Sequence, residues 1–181
     1  MNELKKLLLR KIMLTRQKNL TDSYIEKASK NIQAQVLSSQ IYKNAKKIFI
    51  YISTRREPST IEIIKQALSE GKEIYVPKCV DRNMLAVRIY NMKNLTPGSL
   101  GILEPKNCSE TLTAKEFDLI IVPCLAASID GKRLGHGAGY YDKFLAECKN
   151  KNTICLCFYK MLNSDIPMSK YDVYMSKVLT E

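Results

Sequence analysis

The 181-residue chain has no tryptophan, a single histidine and no long run of apolar residues. A membrane span needs about 18 consecutive apolar residues, so the sequence predicts none and we expect no membrane contact. One histidine argues against a structural zinc site and leaves His136 as the sole imidazole base for a catalytic triad. The start of the chain, Met1 to Lys6, is charged and lacks the apolar core of a secretory signal. We therefore expect a cytoplasmic protein.

The six cysteines form no CxxC pair and no regular spacing. In a cytoplasmic protein this pattern is typical of reduced, mostly buried thiols rather than of a disulfide framework. Hydrophobic residues make up 45% of the chain, which excludes a disordered protein. The length suits one domain of ordinary size, so we expect a single domain of residues 1–181.

Acidic residues are scarce beside basic ones, with 18 Asp and Glu against 29 Lys and Arg and a net charge of +11. Such a balance is typical of a solvated basic surface, or of a protein that binds a nucleotide, a nucleic acid or a polycarboxylate. The basic residues are dispersed along the chain and no nucleic-acid motif accompanies them. Nucleic-acid binding is therefore the weaker alternative.

Apolar periodicity predicts helices that alternate with strands. The predicted helices cover residues 3–19, 21–40 with Thr21 or Ser23 as its cap, 59–69 with Ser59-x-x-Glu62 at its start and Gly71 after its end, and 140–150. The predicted strands cover residues 47–52, 73–76, 84–90, 118–122 and 153–157. Residues 91–116 are turn-rich, and we expect them to be irregular. This alternation predicts an α/β fold with a mostly parallel central sheet that is covered on both faces.

Four of the seven glycines fall within nine residues, between the strand at 118–122 and the helix that begins at Tyr140; they are Gly131, Gly135, Gly137 and Gly139. A glycine-rich loop between a strand and a helix cradles phosphate with backbone N–H groups and the helix N-terminus. Arg133 adds a bidentate cation. The alternative is a tight turn without a ligand. The position after the carboxyl end of a strand, together with Arg133 and His136, favours a nucleotide-phosphate loop. Its spacing matches neither a P-loop nor a dinucleotide fingerprint.

The run from Asp130 to Lys143, DGKRLGHGAGYYDK, closely resembles the signature of the 5-formyltetrahydrofolate cyclo-ligase family. Further blocks resemble the family in the same order along nearly the whole chain: Lys6-x-x-Leu9-Arg10, Tyr51-x-Ser53-x-x-x-Glu57-x-x-Thr60, Gly98-x-x-Gly101-Ile102-x-Glu104-Pro105, Phe117 to Pro123, Ile166-Pro167 and Tyr171-Asp172-Val173. The resemblance implies a three-layer α/β/α fold with a mostly parallel central sheet, similar to sugar-phosphate isomerases and CoA transferases.

The resemblance implies ATP- and Mg²⁺-dependent conversion of 5-formyltetrahydrofolate to 5,10-methenyltetrahydrofolate, with release of ADP and phosphate. The formyl oxygen is phosphorylated and N10 of the folate then attacks the activated carbon. Such chemistry needs in-line positioning and neutralised phosphate charge rather than a protein nucleophile. The expected partners are ATP and 5-formyltetrahydrofolate, with or without a polyglutamate tail, bound to a monomer. The alternative is a protein of the same fold that binds formylfolate or nucleotide without turnover.

The same resemblance implies roles for individual residues. Catalytic roles fall to Arg133 and Tyr140. The ATP-binding residues are Lys6, Arg10, Arg133, Leu134, Gly135, His136, Gly137, Ala138, Gly139, Tyr140 and Tyr141. The folate-binding residues are Ile52, Glu57, His136, Gly137, Ala138, Gly139 and Tyr140. Asp142 and Ser176 are the candidate Mg²⁺ ligands. Ser176 stands where the family often has an acidic residue, and Met161 stands where it often has a glutamine.

Overall fold

The computed structural model describes residues 2–81, 83–98, 102–108, 110–148 and 152–181. The helices are α1 (Asn2–Lys18), α2 (Asp22–Ser38), α3 (Gln40–Asn44), α4 (Ile61–Ser69) and α5 (Tyr140–Ala146). The strands are β1 (Lys47–Ile50), β2 (Glu73–Val80), β3 (Asn83–Ile89), β4 (Leu95–Pro97), β5 (Leu103–Pro105), β6 (Thr111–Leu112), β7 (Leu119–Pro123), β8 (Ala126–Ala127), β9 (Arg133–Leu134), β10 (Thr153–Leu156) and β11 (Lys177–Leu179).

The central sheet has seven strands in the order β11-β10-β7-β1-β2-β3-β6. The first five run parallel, and β3 and β6 are antiparallel to their neighbours. In the middle of the sheet, Ile48 of β1 pairs with Ile74 on one side and Leu119 on the other. Successive side chains of a strand face opposite sides of the sheet, yet all four residues of β10 are buried. Both faces are therefore covered, which confirms the predicted α/β fold with a mostly parallel central sheet.

The hydroxyl groups that precede α2 and α4 have different roles. Thr21, not Ser23, caps α2, because its hydroxyl accepts the Tyr24 N–H at 3.2 Å. Thr60, not Ser59, precedes α4, and its hydroxyl donates to the Tyr51 carbonyl at 2.7 Å instead of capping the helix. The loop between β1 and α4 is thereby tied to the end of the strand.

Several short elements differ from the prediction. Residues 91–116 were expected to be irregular, but their described part contains β4, β5, β6 and two 3₁₀ helices. The strand predicted at 73–76 continues to Val80 because it pairs along its length with β3. The β8–β9 hairpin and β11 were not predicted. The helix α5 ends at Ala146, and the last two residues predicted for it lie outside the described residues.

The other broad expectations concern membranes and thiols. Within the described ranges, no helix combines the length and apolar character needed to cross a bilayer. All six cysteines lie in the described ranges, and none of them forms a disulfide there, as expected. Burial was expected for most of them, but only half are buried, namely Cys124, Cys155 and Cys157; one of the others is half-buried and two are exposed.

Candidate functional site

The predicted phosphate loop lies beyond the carboxyl end of β7, where the chain makes the β8–β9 hairpin and then enters α5. The Leu125 N–H donates to the Leu134 carbonyl at 2.8 Å and closes the hairpin. The glycine loop, Gly135–Gly139, follows. Gly137 and Gly139 have φ of +110° and +72°, a left-handed backbone that L-residues with side chains rarely adopt. The backbone therefore turns sharply at these glycines, and His136, Gly137 and Ala138 are exposed. That the loop binds phosphate stays a prediction.

Arg133 and Asp142 form a mostly buried ion pair behind this loop. Arg133 Nη2 donates to Asp142 Oδ1 at 2.9 Å, and the two side chains are 4% and 25% exposed. Arg133 Nη1 donates to the Pro123 carbonyl at 3.4 Å, and the guanidinium carbon lies 5.6 Å from the centre of the Tyr141 ring. Among the described residues, Arg133 Nε has no hydrogen-bond partner. An unsatisfied buried donor is costly, so this N–H is a group that a ligand oxygen would stabilise.

Gly135 lets the loop pass close to this guanidinium. A Cβ atom at Gly135 would lie 3.1 Å from Arg133 Nη1, tighter than an ordinary van der Waals contact. The glycine thus keeps the cation beside the loop backbone.

Lys6 and Arg10 of α1, both predicted to bind phosphate, have different partners in the structure. Lys6 and Arg10 lie one turn apart on the same helix face. Arg10 Nε donates to the Gly135 carbonyl at 3.0 Å, so Arg10 contacts the glycine loop. Lys6 Nζ donates instead to Asp172 Oδ2 at 2.5 Å, and its side chain is 6% exposed. The structure therefore places Arg10 at the loop and Lys6 in an ion pair with the C-terminal segment.

Glu57 lies on the loop between β1 and α4 and faces the glycine loop. Its Oε2 accepts both the Thr54 N–H at 2.8 Å and the Thr54 hydroxyl at 2.9 Å. Its Oε1 lies 4.0 Å from His136 Nε2. The carboxylate is 10% exposed and also borders an open cleft of about 580 Å³ between α2 and the start of α4. The structure thus brings Glu57 and His136, which are far apart in sequence, to one site.

Tyr51 and Tyr141 lie within electrostatic reach of Glu57 and are adjacent in sequence to the predicted folate contacts Ile52 and Tyr140. Ile52, just after β1, is buried, and Tyr140 is half-buried at the start of α5. Burial raises the pKa of Tyr51 and of Tyr141 above the usual range, and the charge of Glu57 raises both further. These two phenols therefore stay neutral at physiological pH and act as hydrogen-bonding groups rather than as bases.

The two predicted Mg²⁺ ligands have different surroundings. Asp142 Oδ1 accepts a second, longer bond from the Val173 N–H at 3.5 Å, so Oδ2 is the oxygen that faces away from both donors. The Ser176 hydroxyl is 3.1 Å from the Thr153 hydroxyl and accepts the Thr153 N–H at 3.3 Å. In the part of the chain that is described, no three His, Cys, Asp or Glu side chains converge as a metal site. The residues fit Mg²⁺ only as one carboxylate beside phosphate oxygens and water, which is how Mg²⁺ is commonly held. Both ligand assignments stay predictions.

The remaining predicted loop residues divide between surface and core. His136, Gly137 and Ala138 are exposed, whereas Leu134, in β9 of the hairpin, is buried. Met161, at the position where a glutamine is common in the family, is also buried in the core, at 3% exposure. A core side chain does not replace a polar ligand contact.

Sequence reasoning missed two residues that shape the site. Thr54 fixes Glu57 and carried no signal, because nothing in the sequence distinguishes its hydroxyl from that of other surface threonines. Asp172 pairs with Lys6 and was noted only as part of a C-terminal block. Its pairing was the kind of long-range contact that local patterns do not encode.

Comparison with known proteins identifies the family of the chain. The sequence model of the 5-formyltetrahydrofolate cyclo-ligase family matches residues 2–181. A probable 5-formyltetrahydrofolate cyclo-ligase of Schizosaccharomyces pombe is 31% identical over 98% of this chain and 95% of its own length. The 5-formyltetrahydrofolate cyclo-ligase of Mus musculus is 31% identical over 81% of this chain and 79% of its own. The structure of Aquifex aeolicus 5,10-methenyltetrahydrofolate synthetase superposes with a TM-score of 0.84 and 26% identity, covering 96% of this chain and 88% of that one. The resemblance seen in the motifs is confirmed: the chain belongs to the 5-formyltetrahydrofolate cyclo-ligase family.

Proposed function

We propose that this protein converts 5-formyltetrahydrofolate to 5,10-methenyltetrahydrofolate, with ATP and Mg²⁺ as co-substrate and cofactor and with release of ADP and phosphate. The observation that carries the proposal is the meeting of two kinds of group at the glycine loop. Arg10 and the Arg133–Asp142 pair lie beside Gly135, and Glu57 lies 4.0 Å from His136, the next residue of the loop. The site thus offers cations for a triphosphate and a carboxylate for a second ligand.

The phosphate side of the site suits transfer of the γ-phosphoryl group to the formyl oxygen. Phosphorylation turns that oxygen into a good leaving group, N10 attacks the formyl carbon, and phosphate departs as the ring closes. In this scheme Arg10 and Arg133 neutralise charge on the phosphates while the exposed N–H groups of the glycine loop bind their oxygens. Asp142 would hold Mg²⁺, which when bound supplies further charge neutralisation. The α5 helix has seven residues, so the loop and the arginines carry this role rather than a helix dipole.

The folate side of the site depends on how Glu57 is held. A carboxylate has about four acceptor positions, and the two bonds from Thr54 occupy those of Oε2. Oε1 therefore remains for the N–H donors of a 2-amino-4-oxo pterin ring. Ile52, buried just after β1, would supply an apolar contact, and the exposed His136 is the residue of the glycine loop nearest this carboxylate, at 4.0 Å.

A direct assay separates a ligase from a binding protein of the same fold. Purified protein is mixed with MgATP and 5-formyltetrahydrofolate, and absorbance of the methenyl product is followed. We expect product that requires both ATP and a divalent cation, since EDTA removes the Mg²⁺ that Asp142 would hold. A folded protein that binds 5-formyltetrahydrofolate but forms no product would establish the non-catalytic alternative instead.

Replacing Glu57 by glutamine should weaken folate binding selectively. The KM for 5-formyltetrahydrofolate is expected to rise about tenfold or more, because a charge-assisted hydrogen bond is lost. The KM for ATP should change little, since the phosphate cations Arg10 and Arg133 lie beside Gly135, whereas Glu57 is held by Thr54. Glu147→Gln, at an exposed carboxylate just after α5, is the matched control. Equal effects of the two substitutions on folate KM would contradict the role of Glu57.

The basic surface should show itself in the salt dependence of the reaction. With a net charge of +11, the protein attracts polyanionic substrates, and salt screens that attraction. We expect the KM for polyglutamylated 5-formyltetrahydrofolate to rise with ionic strength more steeply than the KM for the monoglutamate. Steady-state assays across a series of KCl concentrations measure both. A flat response for the polyglutamate would show that the surface charge does not steer it.

A further inference from the structure

The outer side of α1 carries a stripe of exposed apolar side chains. Eleven large hydrophobic side chains are exposed in the described part of the chain, and five of them lie on this helix, with exposures from 39% to 73%. Their spacing of three, four and seven residues places them on one side of the helix. This side is here called the leucine face, and it consists of Leu4, Leu7, Leu8, Ile12 and Leu14. An exposed apolar patch of this kind is typical of an interaction site.

The helix α1 is oriented opposite to an ordinary amphipathic helix. Its 17 residues are all described, and the two that are buried, Lys6 and Met13, are seven positions apart on the side opposite the leucine face. Arg10 also lies on the inner side, where its Nε donates to the Gly135 carbonyl at 3.0 Å. A surface helix normally turns its apolar stripe towards the core. The leucine face therefore contributes little to the attachment of α1 and is free to pack against another surface.

Three lysines around the leucine face have no acidic partner. Lys5, Lys11 and Lys18 are exposed, and within the described ranges none of them forms an ion pair. In total α1 contains six basic residues and one acidic residue, Glu3. A lysine can lay its apolar stem along neighbouring leucines while its ammonium group stays at the polar boundary. The leucine face thus complements a surface that is apolar inside and negatively charged at its boundary.

Charge and composition favour one kind of partner for this face. A second copy of the chain would bring another helix with the same excess of basic residues, so the two helices would repel each other. Protein interfaces depend on Trp, Tyr and Arg anchors and are poor in functional leucines, whereas α1 contains no aromatic residue. A helix that lies in a membrane interface combines an aliphatic side with lysines and arginines, and it needs only a planar surface.

We propose that the leucine face docks the protein peripherally on an anionic phospholipid bilayer. The helix α1 lies parallel to the surface, with its five aliphatic side chains among the acyl chains and Lys5, Lys11 and Lys18 at the headgroups. The expectation of no membrane contact concerns spanning segments, whereas a helix lying in the interface needs none. Arg10 and the glycine loop are on the other side of α1, so the bilayer contacts the side that faces away from them.

The test is sedimentation of the purified protein with vesicles made of equal parts of phosphatidylcholine and phosphatidylserine, compared with vesicles of phosphatidylcholine alone. We expect binding to the mixed vesicles that weakens as KCl is added, because salt screens the attraction between lysines and anionic lipid. The double variant Leu8→Gln, Ile12→Gln should bind about tenfold or more weakly, since two aliphatic side chains are no longer buried in the bilayer. Ile129→Gln removes an exposed isoleucine from the turn between β8 and β9 and should bind like the wild type.

A second pair of variants tests the charge. Lys11→Gln should weaken binding to the mixed vesicles about fivefold, the usual contribution of one lysine near an anionic surface. Lys27→Gln, an equal change of charge at an exposed position of α2, should leave binding near that of the wild type. Glutamine is a good helix former, so circular dichroism should show folded proteins. Without lipid, turnover by these variants should match that of the wild type, because Lys6 and Arg10 are retained.

Four results would overturn the proposal. They are no binding of the wild type to the mixed vesicles, equal binding to phosphatidylcholine alone, wild-type binding by folded Leu8→Gln, Ile12→Gln, and a lipid-free dimer in sedimentation equilibrium that this double variant abolishes. The last would assign the leucine face to a second copy of the chain. If the double variant does not fold, Lys11→Gln against Lys27→Gln decides, and equal binding by these two overturns the proposal. Vesicle binding needs neither ATP nor folate, so its outcome is independent of the proposed function.

Discussion

Arg133→Ala is expected to lower kcat by about 100- to 1000-fold, the usual cost of losing a preorganised charge that stabilises a transition state. The fold should persist, because the substitution leaves Asp142, which is 25% exposed and reached by water, rather than a buried unpaired charge. The guanidinium also leaves one buried N–H unsatisfied, so its loss removes a cost as well as an ion pair. Turnover is measured with both substrates saturating, and thermal unfolding reports the fold.

Asp142→Asn tests the other half of this pair. Asparagine keeps an oxygen for the buried Arg133 but is a poor Mg²⁺ ligand, so we expect a loss of turnover together with a higher Mg²⁺ requirement. Alanine at Asp142 should also lose turnover, but it would leave Arg133 buried without its anion and is the less clean variant. Asp165→Asn, the same chemical change at an exposed position, is the control for loss of a carboxylate charge. Wild-type turnover by a folded Arg133→Ala protein would remove Arg133 from the catalytic assignment.

Gly131→Ala is expected to destabilise the fold by more than about 3 kcal/mol, because two costs add. Gly131 has φ of +93°, which costs an L-residue with a side chain about 1–2 kcal/mol. An added Cβ would also lie 2.4 Å from the Met175 carbonyl oxygen, a backbone atom that cannot swing away. Either the β8–β9 hairpin or the backbone at Met175 must then move. Denaturant unfolding of the two proteins measures the difference.

Gly71→Ala is the matched control for the backbone term alone. Gly71 has φ of +74°, and a Cβ there would meet nothing within 4 Å. Its substitution should therefore cost only the roughly 1–2 kcal/mol of the left-handed conformation. If Gly131→Ala lowers the free energy of unfolding no more than Gly71→Ala does, Met175 is not packed against Gly131 as closely as the structure has it.

The central part of the fold was predictable because its strands are nearly continuous apolar runs. Such runs are typical of parallel strands buried on both faces, and β1, β7 and β10 all lie in the middle of the sheet. The two-residue strands of the β8–β9 hairpin and the three-residue β11 were not predictable in this way. Elements of two or three residues show no period, and their pairing depends on partners brought close by the rest of the fold.

The same distinction between local and long-range features applies to the candidate site. Arg133, the glycine loop and Asp142 lie within ten consecutive positions, so composition alone indicated a phosphate loop. Glu57 meets His136 only in the folded chain, and only the resemblance to a family singled it out. The Lys6–Asp172 pair was missed entirely, since an ordinary lysine and an ordinary aspartate at opposite ends of the chain carry no joint signal.

The Lys6–Asp172 bond also imposes an order on the assembly of the site during synthesis. The two residues are 166 positions apart, and at ordinary elongation rates that distance takes on the order of 10 to 30 s to translate. Until Asp172 leaves the ribosome, Lys6 lacks the nearer of its two carboxylate partners and has only Glu3, at 3.7 Å on the same helix. The nascent chain can close its central strands in that interval, but the contact between α1 and the segment around Asp172 forms only after residue 172 has been made.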